Sequence, residues 1–249
     1  RPGSRGARSG SAAPHPAVVD CGIMTPTTTL TTNRMRDRIP AQALIEELLS
    51  RPDADPAVEA GVRAAEGQRL VAGLLAHLPV GWTVLHSLPV PDGEDTVDHV
   101  VVGPAGVLPV TTVHHPGKRV TVTGRTVVVA GLRLPAVLGA ESDGDRLGRL
   151  LAAHGLAAVP VHPVVAVAGP TRLVVKERPR GVAVLPADVL RTRLPAKPAV
   201  LDAATVDAVV ALLDRPDVWG GTTEAQPDLL QRFAALAARH RPHSRFRLR

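Results

Sequence analysis

Apolar side chains recur with a helical period in five segments of the chain. The longest begins at Asp55 and Pro56, because aspartate can cap a helix and proline suits the first helical turn, and it runs to about residue 78. Its apolar stripe consists of Val62, Ala65, Leu70, Val71, Leu74, Leu75 and Leu78. The same pattern predicts further helices over residues 41–49, 136–154, 202–213 and 227–240.

Short runs rich in valine, threonine and leucine lie between these helices and predict β-strands. The runs cover residues 82–87, 96–102, 107–113, 119–123, 126–130, 161–168, 172–175 and 182–185. Gly124 and Arg125 separate two of them, and glycine at the first position of a two-residue loop suits a type II′ hairpin. The order of elements therefore predicts an α/β (α+β) protein with a mixed central β-sheet flanked by helices.

The two ends of the chain depart from this pattern. Residues 1–22 are rich in Gly, Ser, Arg, Pro and Ala and show no periodicity, and a threonine-rich run follows at 25–32. We therefore expect a disordered N-terminal extension over residues 1–38. A helical lead-in over 39–58, a main domain over 59–220, and a C-terminal helix with an arginine-rich, basic tail over 221–249 complete the predicted organisation.

Composition narrows the range of partners. Aromatic residues make up only 2% of the chain and tyrosine is absent, which argues against single-strand binding on an aromatic platform. The net charge is +6 and the isoelectric point about 10.8, which favours acidic partners such as nucleic acid or anionic lipid. Much of the positive charge lies in arginines at the two ends, so solubilising tails are the alternative explanation.

The single cysteine, Cys21, permits no intramolecular disulfide and fits a reducing compartment. No apolar run reaches the roughly 18 residues that span a bilayer. A charged start followed by an apolar stretch, as in a secretory signal, is also not seen. We therefore expect a cytoplasmic protein with no membrane partner.

Common catalytic motifs are scarce, so the candidate site rests on the positions of single polar residues. Asp98 lies in an otherwise apolar strand, where a buried carboxylate needs a hydrogen bond, a charged partner or a metal. Gln68 lies in line with Val71 and Leu75 on the buried side of the long helix. The alternative explanations are a solvent-facing aspartate and a satisfied polar residue at a helix–sheet contact.

Two further sets of polar residues lie near this region. His99, His114 and His115 are close in sequence, but neighbouring strand residues point to opposite faces, so His114 and His115 are poorly placed to share a metal. Structural or surface roles are the favoured explanation for each of these histidines. Lys118, Arg119 and Arg125 form a basic hairpin that is a candidate nucleic-acid contact, or else a charged sheet edge that prevents aggregation.

Five short fragments, in this order and spacing, resemble the nuclease-related domain (NERD) family. They are Ala65–Arg69 (AEGQR), Gly81–His86 (GWTVLH), Val97–Pro104 (VDHVVVGP), Gly106-Val107 and His114–Gly117 (HHPG). The resemblance spans roughly residues 60–220 and identifies the main domain as NERD-like. It implies a restriction-endonuclease-like core of the PD-(D/E)XK nuclease superfamily.

The family pattern implied by this resemblance has a helical Gly-Glu, an aspartate in the Asp-His strand and a Glu/Asp-x-Lys on the next strand. Carboxylates of this kind hold Mg²⁺ beside the scissile phosphate, and the lysine stabilises developing charge. Gly67 and Asp98 match the pattern, so Asp98 is the candidate catalytic and metal-binding residue. The remaining positions are occupied by Gln68, Thr111 and Val113, which are degenerate.

These substitutions leave three functions open. The first is a catalytically degenerate nuclease-related domain that binds nucleic acid or a protein partner without a cofactor. The second is an active Mg- or Mn-dependent DNA endonuclease, in which Glu66, Thr111 or a nearby histidine joins Asp98 at the metal. The third is a structural or interaction protein with no nucleic-acid role, in which the helices predicted over 41–49 and 227–240 act as docking elements.

Overall fold

The nine strands form two sheets in the computed structural model, which describes residues 34–90, 96–220 and 227–240. The first sheet is mixed and has the order β1-β2-β3-β7-β9. Its strands are β1 Thr83–Pro89, β2 Thr96–Gly103, β3 Gly106–His114, β7 Val164–Ala168 and β9 Ala183–Pro186. The pairs β1/β2 and β2/β3 are antiparallel, whereas β3/β7 and β7/β9 are parallel. The expected mixed sheet is therefore confirmed.

The second sheet has four strands in the order β6-β5-β4-β8. They are β4 Arg119–Thr123, β5 Thr126–Val129, β6 Leu132–Leu134 and β8 Arg172–Glu177. The hairpin β4/β5 turns at Gly124, whose φ of 55° is the left-handed conformation that glycine adopts most readily. The sequence pattern had predicted these strands except β6, which is only three residues long between Gly131 and Pro135.

Six α-helices of the described chain surround the sheets. They are α1 Gln42–Ser50, α2 Pro56–Leu75, α3 Ala136–Ala153, α4 Leu190–Arg193, α5 Ala203–Leu213 and α6 Leu229–His240. Asp55 caps α2, since its side chain accepts a hydrogen bond from the N–H of Ala57 at 2.8 Å. Five of these helices were predicted within a few residues, and the single turn α4 was not. None of the described helices is long and apolar enough to cross a membrane.

Helices cover both faces of the first sheet. The helices α2 and α4 pack on one face, through Val71, Leu75, Leu190 and Leu194 against Val101, Leu108 and Val110. The helices α3 and α5 pack on the other, through Leu147, Leu151, Val209 and Leu213 against Leu85, Val100 and Val102. The inner face of the second sheet packs on α3 and β7 through its buried valines Val120, Val122, Val127 and Val129.

The helices α1 and α6 pack against α2 in a separate apolar cluster. Ile45 of α1 and Phe233 of α6 are both buried there, together with Val62 of α2. The buried apolar sides of α1 and α6 thus pack against α2 within the chain.

Packing begins before the expected domain boundary at residue 38. Met35 is fully buried in the core, and its N–H donates to the carbonyl of Asp214 at 3.1 Å. The Asp214 carboxylate in turn accepts from Arg36 Nε at 2.6 Å. Residues 34–38, which we had assigned to the disordered extension, are therefore part of the folded chain. The remainder of that extension, 1–33, and the basic tail after His240 lie outside the described residues.

One glycine sets the distance between α2 and β3. A Cβ added at Gly67 would overlap the Cβ and imidazole of His114, at the end of β3. The absence of a side chain at Gly67 therefore lets the helix approach the strand and brings the next residue, Gln68, over the sheet. Gly73 lies in the same helix, and a Cβ there would meet nothing within 4 Å.

We predict opposite effects of alanine at these two glycines. Gly67→Ala should destabilise the protein by roughly 1–3 kcal/mol because overpacking outweighs the gain in helix propensity. Gly73→Ala should stabilise it by up to about 1 kcal/mol, because only helix propensity changes. Urea unfolding midpoints of the two variants measure the difference. Equal stabilisation by both would show that α2 does not approach β3 closely at His114.

Candidate functional site

The strand β2 is irregular where it carries Asp98. Pairing with β1 runs through His86↔His99 and resumes at Leu88↔Val97, and it omits Ser87 and Asp98. Ser87 has a φ of 52°, an uncommon conformation for a residue with a side chain. Pairing of β2 with β3 begins only at His99↔Val110. The backbone of Asp98 is therefore paired with neither neighbouring strand. Its side chain can then reach backbone groups that would be hydrogen-bonded between the strands in a regular ladder.

Both carboxylate oxygens of Asp98 accept hydrogen bonds from the chain. Gln68 Nε2 donates to Oδ1 at 2.6 Å, and the Thr112 N–H donates to Oδ2 at 2.7 Å. Gln68 is buried on α2, as its position in the apolar stripe predicted. The structure thus brings together Asp98, Gln68 and the segment of β3 that contains Thr111 and Val113.

The environment of Asp98 favours its protonated form. Burial of the carboxyl raises the pKa of Asp98 to about 7, although part of the residue remains exposed. The hydrogen bond from Thr112 opposes this increase, the negative charge of Asp143 adds to it, and the Gln68 amide lowers the pKa slightly. Near neutral pH, Asp98 is consequently close to its titration midpoint.

A cavity of about 540 Å³ lies beside this group, between α2, the end of β3, β6 and α3. Thr111, Thr112, Val113 and His114 contribute its β3 wall, and Arg63, Asp143 and Arg146 contribute charges. The Oγ1 of Thr111 and the Nδ1 of His114 are buried without a hydrogen-bond partner from the described residues. Buried polar atoms of this kind normally bind water or a ligand, so the cavity is the candidate site.

The residues around Asp98 do not fit the Mg²⁺ that the resemblance implies. Mg²⁺ requires oxygen ligands near 2.0–2.1 Å in octahedral geometry, usually including carboxylates. At the helical carboxylate position Gln68 presents an amide N–H₂ to Asp98, and at the carboxylate position on β3 Thr111 offers a neutral hydroxyl. Within residues 34–90, 96–220 and 227–240, no group of three or more His, Cys, Asp or Glu side chains is arranged to hold a metal ion.

Asp143 is a residue of this site that sequence reasoning missed. It lies on α3 in line with Ala140 and Leu147, on the side of the helix that faces the core, and it is nine-tenths buried. Its carboxylate lies 3.6 Å from Arg146 Nη1 and is close enough to Asp98 to raise the pKa of that carboxyl. An acidic residue within the apolar stripe of α3 was the signal in the sequence.

The histidines divide between two places. His99 is fully buried, and its Nδ1 lies 2.9 Å from Nδ1 of His86 on the neighbouring strand, so one of the two nitrogens carries the shared proton. Burial lowers the pKa of His86 to about 4 and that of His99 to about 3. His114 and His115 both line the cavity, and burial lowers the pKa of each. His86 and His99 are therefore neutral at neutral pH.

The other predicted residues lie away from Asp98. Glu66 lines a neighbouring cavity with Lys118, and this cavity shares Arg63 and His115 with the first one. Lys118 and Arg119 lie at the start of β4, whereas Arg125 follows its end and forms an ion pair with Glu141 of α3. A five-residue strand is roughly 16 Å long, so the three cations of the hairpin do not form one cluster.

Comparison with known families identifies the region that carries this site. Residues 63–168 match the family model of the nuclease-related domain. The matching segment runs from α2 through β7 and includes Gln68, Asp98, Thr111 and Val113. The resemblance to this family is therefore confirmed over that segment. Neither the curated proteins nor the solved structures contain a match to the chain.

We predict that Asp98→Asn stabilises the protein increasingly as the pH rises from about 4 to about 7. The unfolded Asp98 carboxyl ionises near pH 3.8 and the folded one near 7, so the wild-type protein loses stability through this window. The variant does not lose stability in this window, because both hydrogen bonds can be kept. The Gln68 amide can flip so that its oxygen accepts from the amide N–H₂ of the new asparagine, while the oxygen of that asparagine accepts from the Thr112 N–H. Titration of His86 and His99 changes the stability of both proteins equally, so it cancels in the difference between the variant and the wild type.

Urea unfolding at pH 4, 5, 6, 7 and 8 measures this difference. The matched control is Asp207→Asn, which removes an exposed carboxylate from α5. A difference between Asp98→Asn and the wild type that stays constant with pH would contradict the raised pKa of Asp98.

Proposed function

We propose that this protein is a non-hydrolytic nuclease-related domain that binds nucleic acid. The observation that carries the proposal is the hydrogen bond from the Gln68 amide to Asp98. A glutamate at position 68 would face Asp98 with a second negative charge, and a cation or a proton would be needed between them. The amide donates to Asp98 directly, so no cation is needed between positions 68 and 98.

The substitutions on β3 support the loss of hydrolysis. Thr111 and Val113 occupy the positions where the family pattern has a carboxylate and a lysine. Removing a single group that stabilises transition-state charge costs roughly 10²–10³ in rate. The chain lacks two such groups at these positions and has an amide in place of the helical glutamate, so catalysis by the family's chemistry should be negligible.

Nucleic-acid binding is supported by the family match and by charge. The segment 63–168 matches a nuclease-related family, and the chain carries a net charge of +6. Several exposed arginines of the second sheet have no ion-pair partner in the described part of the chain, and such cations bind phosphates at little desolvation cost. The cytoplasmic location predicted from the single cysteine belongs to the same proposal.

A second candidate function is metal-dependent hydrolysis with a relocated carboxylate. It is favoured by Asp143, which lies near Asp98 and lines the same cavity. In such an enzyme Asp143 would replace the missing acidic residue as the second metal ligand, with Mg or Mn as the metal. Glu66, which the sequence suggested as that ligand, lines the neighbouring cavity instead.

Supercoiled plasmid tests both functions in one experiment. Purified protein is mixed with plasmid and Mg²⁺ or Mn²⁺, and the products are separated before and after removal of the protein. We expect a gel-mobility shift that weakens steeply with salt and no nicked plasmid after protein removal. Binding of this kind would exclude the reading in which the protein has no nucleic-acid role.

Two variants decide between the candidates. Nicking by the wild type that disappears in both Asp98→Ala and Asp143→Asn would establish the second candidate and overturn the first. Absence of any mobility shift at low salt would contradict nucleic-acid binding, and the search would then turn to a protein partner.

A further inference from the structure

The outer face of the second sheet presents three arginines to solvent. In the sheet, Val120, Val122, Val127 and Val129 point inward to the core, so the alternate residues point outward. We call this outer surface the arginine face; it consists of Arg119, Thr121, Thr123, Thr126, Val128, Arg133, Arg172 and Val174, and Glu177 lies at its far end, opposite Thr123. Arg119, Arg133 and Arg172 are all exposed.

Two of these arginines are direct neighbours on adjacent strands. Arg119 of β4 pairs in register with Arg172 of the parallel edge strand β8. Their Cα atoms are therefore about 5 Å apart. Like charges directly opposite each other destabilise a sheet. Neither side chain forms an ion pair with any residue that the structure describes.

The third arginine extends the charge across the sheet. Arg133 of β6 lies in one cross-strand row with Val128, Thr121 and Val174. The strand β6 lies three strand spacings from β8, and Arg172 lies two residues along β8 from Val174. The Cα atoms of Arg133 and Arg172 are therefore roughly 16 Å apart. Duplex DNA carries one phosphate charge per about 1.7 Å of its axis, so a surface of this length faces several phosphates.

The other residues of the arginine face favour a phosphate backbone over other acidic partners. Thr121 and Thr126 add hydroxyl groups, which commonly bind phosphate oxygens. Val128 and Val174 are half-buried, and the arginine face as defined contains no aromatic side chain. A membrane surface would require apolar side chains that insert among lipids, and a protein interface would require an apolar centre.

Three neighbouring cations are less available for this role, whereas Lys118, beside Arg119, and Lys176 of β8 are exposed and form no ion pair with a described residue. Arg125, beyond the opposite end of β4, is paired with Glu141, and Arg63 and Arg146 beside the cavity are paired with Glu59 and Asp143. These cations lie beside acidic groups that would repel phosphate. Among the cations proposed from sequence, only Arg119 belongs to the arginine face.

We propose that the arginine face binds the phosphate backbone of duplex DNA without reading its sequence. This inference rests on the proposed nucleic-acid function but places the contact on the second sheet, away from the cavity beside Asp98. Each arginine that neutralises one phosphate contributes about 0.9 to the slope of log affinity against log salt concentration. The three arginines together should contribute about 2.7.

The test uses the full-length protein and a labelled 20-base-pair DNA duplex of arbitrary sequence, titrated from 50 to 200 mM salt. We expect the triple variant Arg119→Gln/Arg133→Gln/Arg172→Gln to bind more weakly, with a salt slope smaller by about 2.7 than that of the wild type. The control triple variant Arg191→Gln/Arg193→Gln/Lys197→Gln changes the net charge equally on the opposite part of the fold, and it should retain the wild-type slope. Thermal unfolding checks that both variants fold.

The outcomes separate this inference from the function on which it rests. Wild-type binding that is unchanged in the arginine-face variant, or weakened equally in both variants, would overturn the inference and leave nucleic-acid binding intact. Failure of the wild type to bind the duplex would overturn both. Binding to phosphatidylserine vesicles that is lost in the arginine-face variant, with duplex binding unchanged, would assign the face to a membrane surface instead.

Discussion

The structure of the site depends on how a carboxylate is satisfied inside an apolar strand. An ionised aspartate without partners is too costly to bury, so Asp98 must find donors, a cation or a proton. The chain supplies two donors, the Gln68 amide at 2.6 Å and the Thr112 N–H at 2.7 Å. The amide has the shape of glutamate without its charge. It therefore supplies Asp98 with a hydrogen-bond donor without adding a second negative charge that would attract a cation.

The surrounding fold is arranged so that these groups can meet. Gly67 lets α2 lie close to β3 and brings Gln68 over the sheet, and the interrupted pairing at Ser87 frees the side chain of Asp98. Burial on α3 places Asp143 near the same point. The charges that remain available for a polyanion lie elsewhere, on the outer face of the second sheet. The proposed nucleic-acid contact is thus separate from the site around Asp98, so binding does not depend on catalysis there.

Much of the fold follows from local sequence pattern, and parts of the site do not. The stripe on α2 predicted that Gln68 is buried, and the apolar run around Asp98 predicted a carboxylate in need of a partner. Short elements such as β6 escape prediction because three residues carry no period. Asp98 lies near Asp143, and Arg119 lies beside Arg172, because segments distant in the sequence come into contact. Local periodicity indicates which face a residue occupies, but it does not indicate what lies opposite.

Binding of Mn²⁺, measured by titration calorimetry, tests the central claim most directly. In the proposed function, the amide of Gln68 occupies the place of a cation beside Asp98. We therefore expect no saturable Mn²⁺ binding that depends on Asp98 in the wild-type protein. Gln68→Glu should gain such binding and lose it again when Asp98→Asn is added, because two facing carboxylates share either a proton or a cation, and excess Mn²⁺ supplies the cation. Saturable Mn²⁺ binding by the wild-type protein that is lost in the Asp98→Ala variant would contradict this proposal. It would favour a metal-dependent enzyme instead.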